Sequence, residues 1–361
     1  MAALVPLHGG QLYQIAERFG VPASDLLDFS ANINPEGPPA AVFSTLRESL
    51  DDPSVLTHYP EIGESALRSA IATHTGVNSE NIAVANGFVP LLDAALRVLP
   101  IRSCLLPVPA FVEYRRTHTR ADVEVIPQVL TPESGFLYDV HDMVSGSHDA
   151  ILFANPQNPS GVLCDLDVLL ELVARTAEKN VYILLDEAFI DYCPEESLTR
   201  EIDRFPNLIV FRSVTKFFGM AGLRVAYAVA STELSRRFQE AIAPWSVTTL
   251  ASIAAGVAVR DEAYAKRAIA LNRERRNQLQ TTIEKLDVHV YPSAANFLLL
   301  RLPASIDGQE LWERLIREHH IVLRNCVNYE SLPDRHLRSA VRTHAENERL
   351  IDALAREVEK A

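Results

Sequence analysis

Between residues 80 and 240 the chain alternates short apolar runs with amphipathic ones, and no other feature restricts its fold as strongly. The apolar runs are NIAVA (81–85), SCLLPV (103–108), VEVIPQV (123–129), AILFA (150–154), VYILLDE (181–187), NLIVFRS (207–213) and VAYAVA (225–230). They read as strands. Near-continuous apolarity implies burial on both faces, which a mostly parallel sheet sandwiched by helices provides. VPLLDAALRVL, FVEYRRTHT and DLDVLLELVARTAEKN supply helices between several of them. The expected class is therefore α/β, with a mostly parallel seven-stranded sheet. Ligands of such sheets bind beyond the carboxyl ends of the strands.

The flanks read differently. QLYQIAERFG is a short helical pattern ended by Gly20, followed by a strand-like LLDFS and the turn-rich ANINPEGPP. Residues 40–50 and 64–75 read as amphipathic helices, and 248–286 as one long helical stretch. VHVYPSAANFLLLRL, a helix at 308–319, IVLRNC, HLRSAVRT and the final helix ENERLIDALAREVEK form a smaller α+β unit. A chain of 361 residues is long enough for both. We expect a large domain over 46–245, and a small domain of 1–45 together with 246–361.

The net charge of −13 argues against a nucleic-acid partner, though not against a local basic pocket for a small anion. Cys104, Cys164, Cys193 and Cys326 have neither CxxC nor metal-ligand spacing, so we expect reduced thiols, no metal and a cytoplasmic location. MAALVPLHGGQLYQ lacks the basic start and apolar run of a signal peptide. No apolar stretch approaches the ~20 residues that span a membrane.

The strand ends carry the chemistry. VANGF (84–88) turns from a strand into a helix, whose backbone N–H groups suit a phosphate, although many ordinary turns look alike. ANPQNPSG (154–161) is a stiff loop that directs Asn158 toward a cleft or forms a plain turn. ILLDEAFIDY (183–192) brings Asp186 and Glu187 to the end of an apolar strand. A buried Asp there suits a protonated ring nitrogen, while its bland role is a helix cap. SVTKFFGMAGLR (213–224) places Lys216 among Ser213, Thr215 and Arg224. A desolvated lysine is nucleophilic toward a carbonyl, and hydroxyls with a guanidinium bind phosphate. Their joint appearance at successive strand ends is the signal.

N-P-x-N-P-x-G, then D-E-A, then S-x-T-K-x-x-x-x-x-G-x-R resembles the fold type I aminotransferase superfamily, which uses pyridoxal 5′-phosphate (PLP), over essentially the whole chain. The resemblance implies that Lys216 carries the cofactor covalently. It implies that Asp186 pairs with the pyridine nitrogen and that Asn158 contacts the ring hydroxyl side. Gly87, Phe88, Ser213, Thr215 and Arg224 would hold the cofactor phosphate, and Tyr114 would stack on the ring. Tyr59 resembles the tyrosine that reaches a neighbouring subunit's cofactor phosphate, which implies a homodimer.

Within the superfamily the chain resembles both the threonine-phosphate decarboxylases and the histidinol-phosphate aminotransferases. HGG (8–10), LLDFSANINPEGPP (26–39), Phe189 where many aminotransferases carry Tyr, and the IVLRNCVNY tail favour the decarboxylases of cobalamin synthesis. The substrate would be L-threonine O-3-phosphate. This resemblance implies substrate contacts from His8, Gly9, Asn32, Asn158, Arg324 and Arg338. Arg342, four residues after Arg338, is expected on the same strand face, which suits a common pocket and a solvated strand edge equally well. Phe88-Val89-Pro90 departs from the decarboxylases' polar, acidic run. Histidinol-phosphate transamination is the alternative activity, and a non-catalytic binding protein of this fold is the alternative of a different kind.

Overall fold

The computed structural model describes residues 5–333 and 335–360; residues 1–4, 334 and 361 of the two domain ranges lie outside it. Seven strands form the main sheet: β1 (Ile82–Ala85), β2 (Ser103–Val108), β3 (Glu124–Val129), β4 (Ala150–Ala154), β5 (Tyr182–Asp186), β6 (Leu208–Ser213) and β7 (Ala226–Val229). Their order across the sheet is β1-β7-β6-β5-β4-β2-β3. β7 runs antiparallel to both neighbours, and every other pairing is parallel. Register aligns Ala154 with Asp186 and Asp186 with Phe211, so the loops after β4, β5 and β6 emerge side by side.

Both faces of the sheet are buried, as the apolar runs require. Val84, Ile151, Ile183, Leu185 and Val210 point into one core, and Ala83, Leu152, Leu184, Ile209 and Phe211 into the other. The alternation is the period of two that a pleated strand imposes. Val42, Ala251, Ala254 and Tyr264 also belong to the first core. A third core contains Ile15, Leu279, Trp312, Leu350 and Leu354.

The stretch expected as one helix over 248–286 is two, Thr249–Ala258 and Glu262–Glu284. Asp261 separates them and caps the second by accepting from the Tyr264 N–H at 2.9 Å. That second helix gives Tyr264 to the first core and Leu279 to the third, and so joins them.

The smaller unit holds a four-stranded antiparallel sheet ordered Arg324–Asn325, His336–Ala340, Phe297–Arg301, His289–Val290. In its register Arg324 lies directly opposite Arg338. The N-terminal segment crosses toward this sheet. Leu27–Asp28 pairs in parallel with Ile321–Val322, and the Ala340 N–H donates to the Phe29 carbonyl at 2.8 Å. Further on, the Asn34 N–H donates to the carbonyl of Lys216 at 3.0 Å. No helix among the described residues is long and apolar enough to cross a membrane.

Candidate active site

A cavity of about 400 Å³ opens at the carboxyl ends of β5 and β6, between the two sheets. Asp186 is the last residue of β5 and Ser213 the last of β6. Ser213 caps the short helix Val214–Phe217, accepting from the Thr215 N–H at 3.2 Å, and this one turn carries Lys216 into the cavity.

Burial first, with the Arg338 and Arg224 charges adding to it, lowers the Lys216 pKa to about 8, against the opposing pull of Asp186. A lysine so placed holds a substantial neutral fraction near neutral pH, as an amine that attacks carbonyls must. Burial raises Asp186 to about 6, while hydrogen bonds from Tyr114 and the Ala188 N–H and the Lys216 charge hold it down. The Tyr114 hydroxyl donates to Asp186 Oδ2 at 2.5 Å and the Ala188 N–H to Oδ1 at 2.9 Å. Tyr114 itself is fully buried between Phe88 and Phe111, with ring centroids 5.5 and 5.6 Å away.

One end of the cavity is shaped for a phosphate. Helix Phe88–Val98 begins there, capped by Gly87 at φ +93°, and Phe88 and Val89 line the wall. Pro90 lacks an N–H, so the first-turn donors at this end come from Phe88 and Val89. A Cβ on Gly87 would lie 2.8 Å from Arg224 Nη2, so the guanidinium rests over a position that only glycine leaves open. The Ser213 and Thr215 hydroxyls, 2.7 Å apart, also line the cavity. Gly87→Ala is expected to destabilise the fold by about 1–3 kcal/mol through left-handed strain and to displace Arg224. Urea unfolding, with cofactor retention after dialysis read by absorbance, checks both effects.

At the opposite end, Arg338 Nη1 donates to Asn158 Oδ1 at 2.5 Å and to the Tyr329 hydroxyl at 3.1 Å, and Nη2 donates to the Ser30 carbonyl at 3.2 Å. With Asn158 Oδ1 occupied, its NH₂ is left to face a ligand. Arg324 Nη1 donates to the carbonyls of Pro6 and Asn325, and Nη2 to that of Leu7 and to Asn328 Oδ1. The segment Pro6–Gly9 is thereby strapped across the opening, with His8 and Gly9 in the wall. Arg338 Nε and Asn32 Oδ1 are buried without a partner among the described residues. A phosphorylated pyridine aldehyde matches these groups: an amine, a buried carboxylate to accept from a ring nitrogen, an amide, and a hydroxyl–guanidinium cradle for phosphate.

The structure brings most of the expected residues to this one cavity, but Gly87 and Tyr114 are not in its lining, and Tyr114, expected to stack on the cofactor ring, is buried behind the wall and meets the site through its hydroxyl on Asp186. Tyr59 is not in the lining either: it is 79% exposed on the outer surface and stacks on Trp245 at 4.6 Å. Arg342 does not line the cavity, and it does not share the strand face expected from its spacing. The strand ends at Ala340, so the period of two no longer applies, and Arg342 pairs with Glu346 at 2.7 Å in the next helix. Cys326 is fully buried and also lies outside the lining. Phe189 lines the cavity and packs edge-on against Phe297 at 4.9 Å.

The sequence reading missed Glu113, Asn328 and Tyr329, which share this wall. Tyr329 ends the IVLRNCVNY run, and its ring lies 5.2 Å beneath the Arg324 guanidinium. Glu113 directly precedes Tyr114, and their adjacency was the available signal.

Behind the cavity, Glu187 is fully buried, accepting from the Ser197 hydroxyl at 2.6 Å and the Leu198 N–H at 2.8 Å. Burial raises its pKa to about 7 against the Arg212 charge. Arg212 is itself buried and ion-paired with buried Asp191, which also meets His74 Nε2 at 3.2 Å.

Comparison with known proteins gives consistent matches. Residues 24–354 match the family described as aminotransferase class I and II. A threonine-phosphate decarboxylase of Salmonella typhimurium is 33% identical over 98% of this chain and 97% of its own length. A histidinol-phosphate aminotransferase of Nitratidesulfovibrio vulgaris is 32% identical over 96% of this chain and 91% of its own. The crystal structure of L-threonine-O-3-phosphate decarboxylase from Porphyromonas gingivalis superposes with a TM-score of 0.80 at 26% identity, covering 92% of this chain and 99% of that one.

Proposed function

The chain belongs to the class I and II aminotransferase family, and from that premise we propose that it is a PLP-dependent lyase that removes CO₂ from L-threonine O-3-phosphate. The observation that carries this reading is the pair Arg324 and Arg338. They sit opposite one another on adjacent strands, both buried, and neither is paired with a carboxylate among the described residues. Like charges directly opposite are destabilising. Two such guanidiniums beside a desolvated amine suit a substrate carrying both a carboxylate and a phosphate.

Lys216 would hold the cofactor, Asp186 would keep its ring nitrogen protonated, and Asn158 would donate to its ring oxygen. Gly87, Phe88, Ser213, Thr215 and Arg224 take its phosphate. When bound, the cofactor supplies an electron sink for the pair left when a bond to the α-carbon breaks. Which bond breaks is decided by orientation, and Arg338 would fix the substrate carboxylate while His8, Gly9 and Asn32 meet the phosphate and Arg324, its terminal N–H groups committed to the protein, draws it by charge. Lys216 Nζ, free once the substrate amine has taken its place, would deliver a proton to the α-carbon where CO₂ has left its electron pair. Phe189 offers no hydroxyl to the ring oxygen, which leaves that contact to Asn158.

The protein acts as a cytoplasmic homodimer in this reading. The exposed Tyr59 and Trp245 would face the second copy, with the partner subunit's Tyr59 reaching the cofactor phosphate.

End-point mass spectrometry tests the activity. Protein with PLP and O-phospho-L-threonine, and no keto acid, is expected to yield aminopropanol phosphate. A parallel sample holds histidinol phosphate and 2-oxoglutarate. Glutamate formed there, with no product in the first, would replace the lyase by an aminotransferase.

A further inference from the structure

His8 does not stand alone in the cavity wall. Its Nε2 lies 3.1 Å from Glu113 Oε1, and Glu113 lines the same cavity. Glu113 stands in the first turn of helix Val112–Arg120 and is itself held by Arg116 at 2.8 Å and Arg120 at 3.8 Å. His8 is steadied from its other sides. Its backbone N–H donates to Gln11 Oε1 at 3.1 Å, and its ring meets Phe111 at 5.9 Å. A carboxylate in a wall meant for anions works against them unless it acts through another group.

We propose that Glu113 is a positioning residue that fixes His8 by Nε2, so that the imidazole takes up a proton and donates from Nδ1 when a phosphorylated substrate enters. The proposal rests on the phosphorylated substrate argued above. A carboxylate only accepts, so the hydrogen shared with Glu113 belongs to Nε2. In the neutral ring Nδ1 is then an acceptor and cannot bond to a phosphate oxygen. With one added proton both nitrogens donate, one to Glu113 and one to phosphate.

The charged groups facing His8 are Glu113 and Arg116 from that helix and Arg324 from the small sheet. Before substrate arrives, burial, together with Arg324 and Arg116, lowers the His8 pKa, and Glu113 opposes them. An arriving phosphate dianion adds to the pull of Glu113 and offsets that of Arg324. The proton comes from solvent and remains on His8 while the phosphate is bound; no covalent bond changes.

The test uses the PLP-loaded enzyme and two probes. The first is 3-phosphonooxybutanoate, which keeps the carboxylate and phosphate but has no amine to react. Calorimetry in buffers of different ionisation enthalpy counts protons taken up, at about pH 8, where a phosphate monoester is already dianionic. The wild type is expected to take up about one proton more than Glu113→Gln. The amide keeps the shape of Glu113 and loses its charge.

The second probe is O-phospho-L-threonine in steady state, with L-threonine as reference. Glu113→Gln is expected to raise KM for the phosphorylated compound roughly 10- to 100-fold, with a smaller change in kcat and for L-threonine. In a His8→Gln background the same substitution should add little, because its effect runs through His8. Equal proton uptake in the two proteins, or full additivity with His8→Gln, would overturn the proposal. A wild type that does not prefer the phosphorylated compound would overturn the functional reading and this proposal with it.

Discussion

Lys216→Met is expected to lower turnover roughly 10⁴-fold or more, the upper range for a lost acid–base group, with covalent cofactor attachment removed as well. The same substitution is expected to stabilise the cofactor-free protein. Folding lowers the Lys216 pKa from 10.5 to about 8, so at neutral pH the desolvated cation costs about 3 kcal/mol. Between these two pKa values the unfolded chain binds the extra proton and the folded one does not. Stability of the wild type therefore rises with pH through this window, relative to Lys216→Met. Urea unfolding of both proteins at about pH 7.5 and pH 10 reads the difference. A methionine advantage that shrinks at the higher pH is expected; an advantage independent of pH would mean the amine is hydrated in the folded protein.

Asp191→Ala is expected to destabilise the fold by about 3–5 kcal/mol, because it leaves Arg212 buried without its closest counter-charge. Glu187 is near enough to raise the Arg212 pKa, but its own carboxylate is committed to Ser197 and Leu198. The change reaches the active site through backbone. Arg212 precedes Ser213 on β6, and Glu187 follows Asp186 on β5. Cofactor affinity should fall along with stability. The double variant Asp191→Ala/Arg212→Met removes both charges and should recover a large part of the loss. Urea midpoints for the two single variants and the double give the coupling. Simple additivity would show that the pair does not act as a unit.

Much of the fold is legible because the physics is local. The main-sheet strands fall within a residue of the apolar runs at each end, since burial on both faces leaves an uninterrupted hydrophobic signature. Lys216, Asp186 and Asn158 are legible because each sits in a short motif at a strand end. Errors came where a local rule was carried past its element. Arg342 was placed by strand spacing two residues after the strand had ended. The helix break at Asp261 had a sequence signal, an Asp followed directly by Glu, but no Gly or Pro to announce it. The contact of His8 with Glu113 joins an N-terminal strap to a helix of the large sheet, and no periodicity links positions so far apart.

The cavity is built from parts of the chain that are made at different times. The groups of one chain assigned to its own cofactor lie between residues 87 and 224, with Tyr59 assigned to the partner's, whereas the substrate wall needs the Pro6–Gly9 strap fastened to Arg324, 318 residues later than Pro6. At roughly 5–20 residues per second, a ribosome takes about a quarter of a minute to a minute to cover that interval. During synthesis the strap has nothing to fasten to until the small sheet emerges, and the last gap to close is the one through which substrate is recognised.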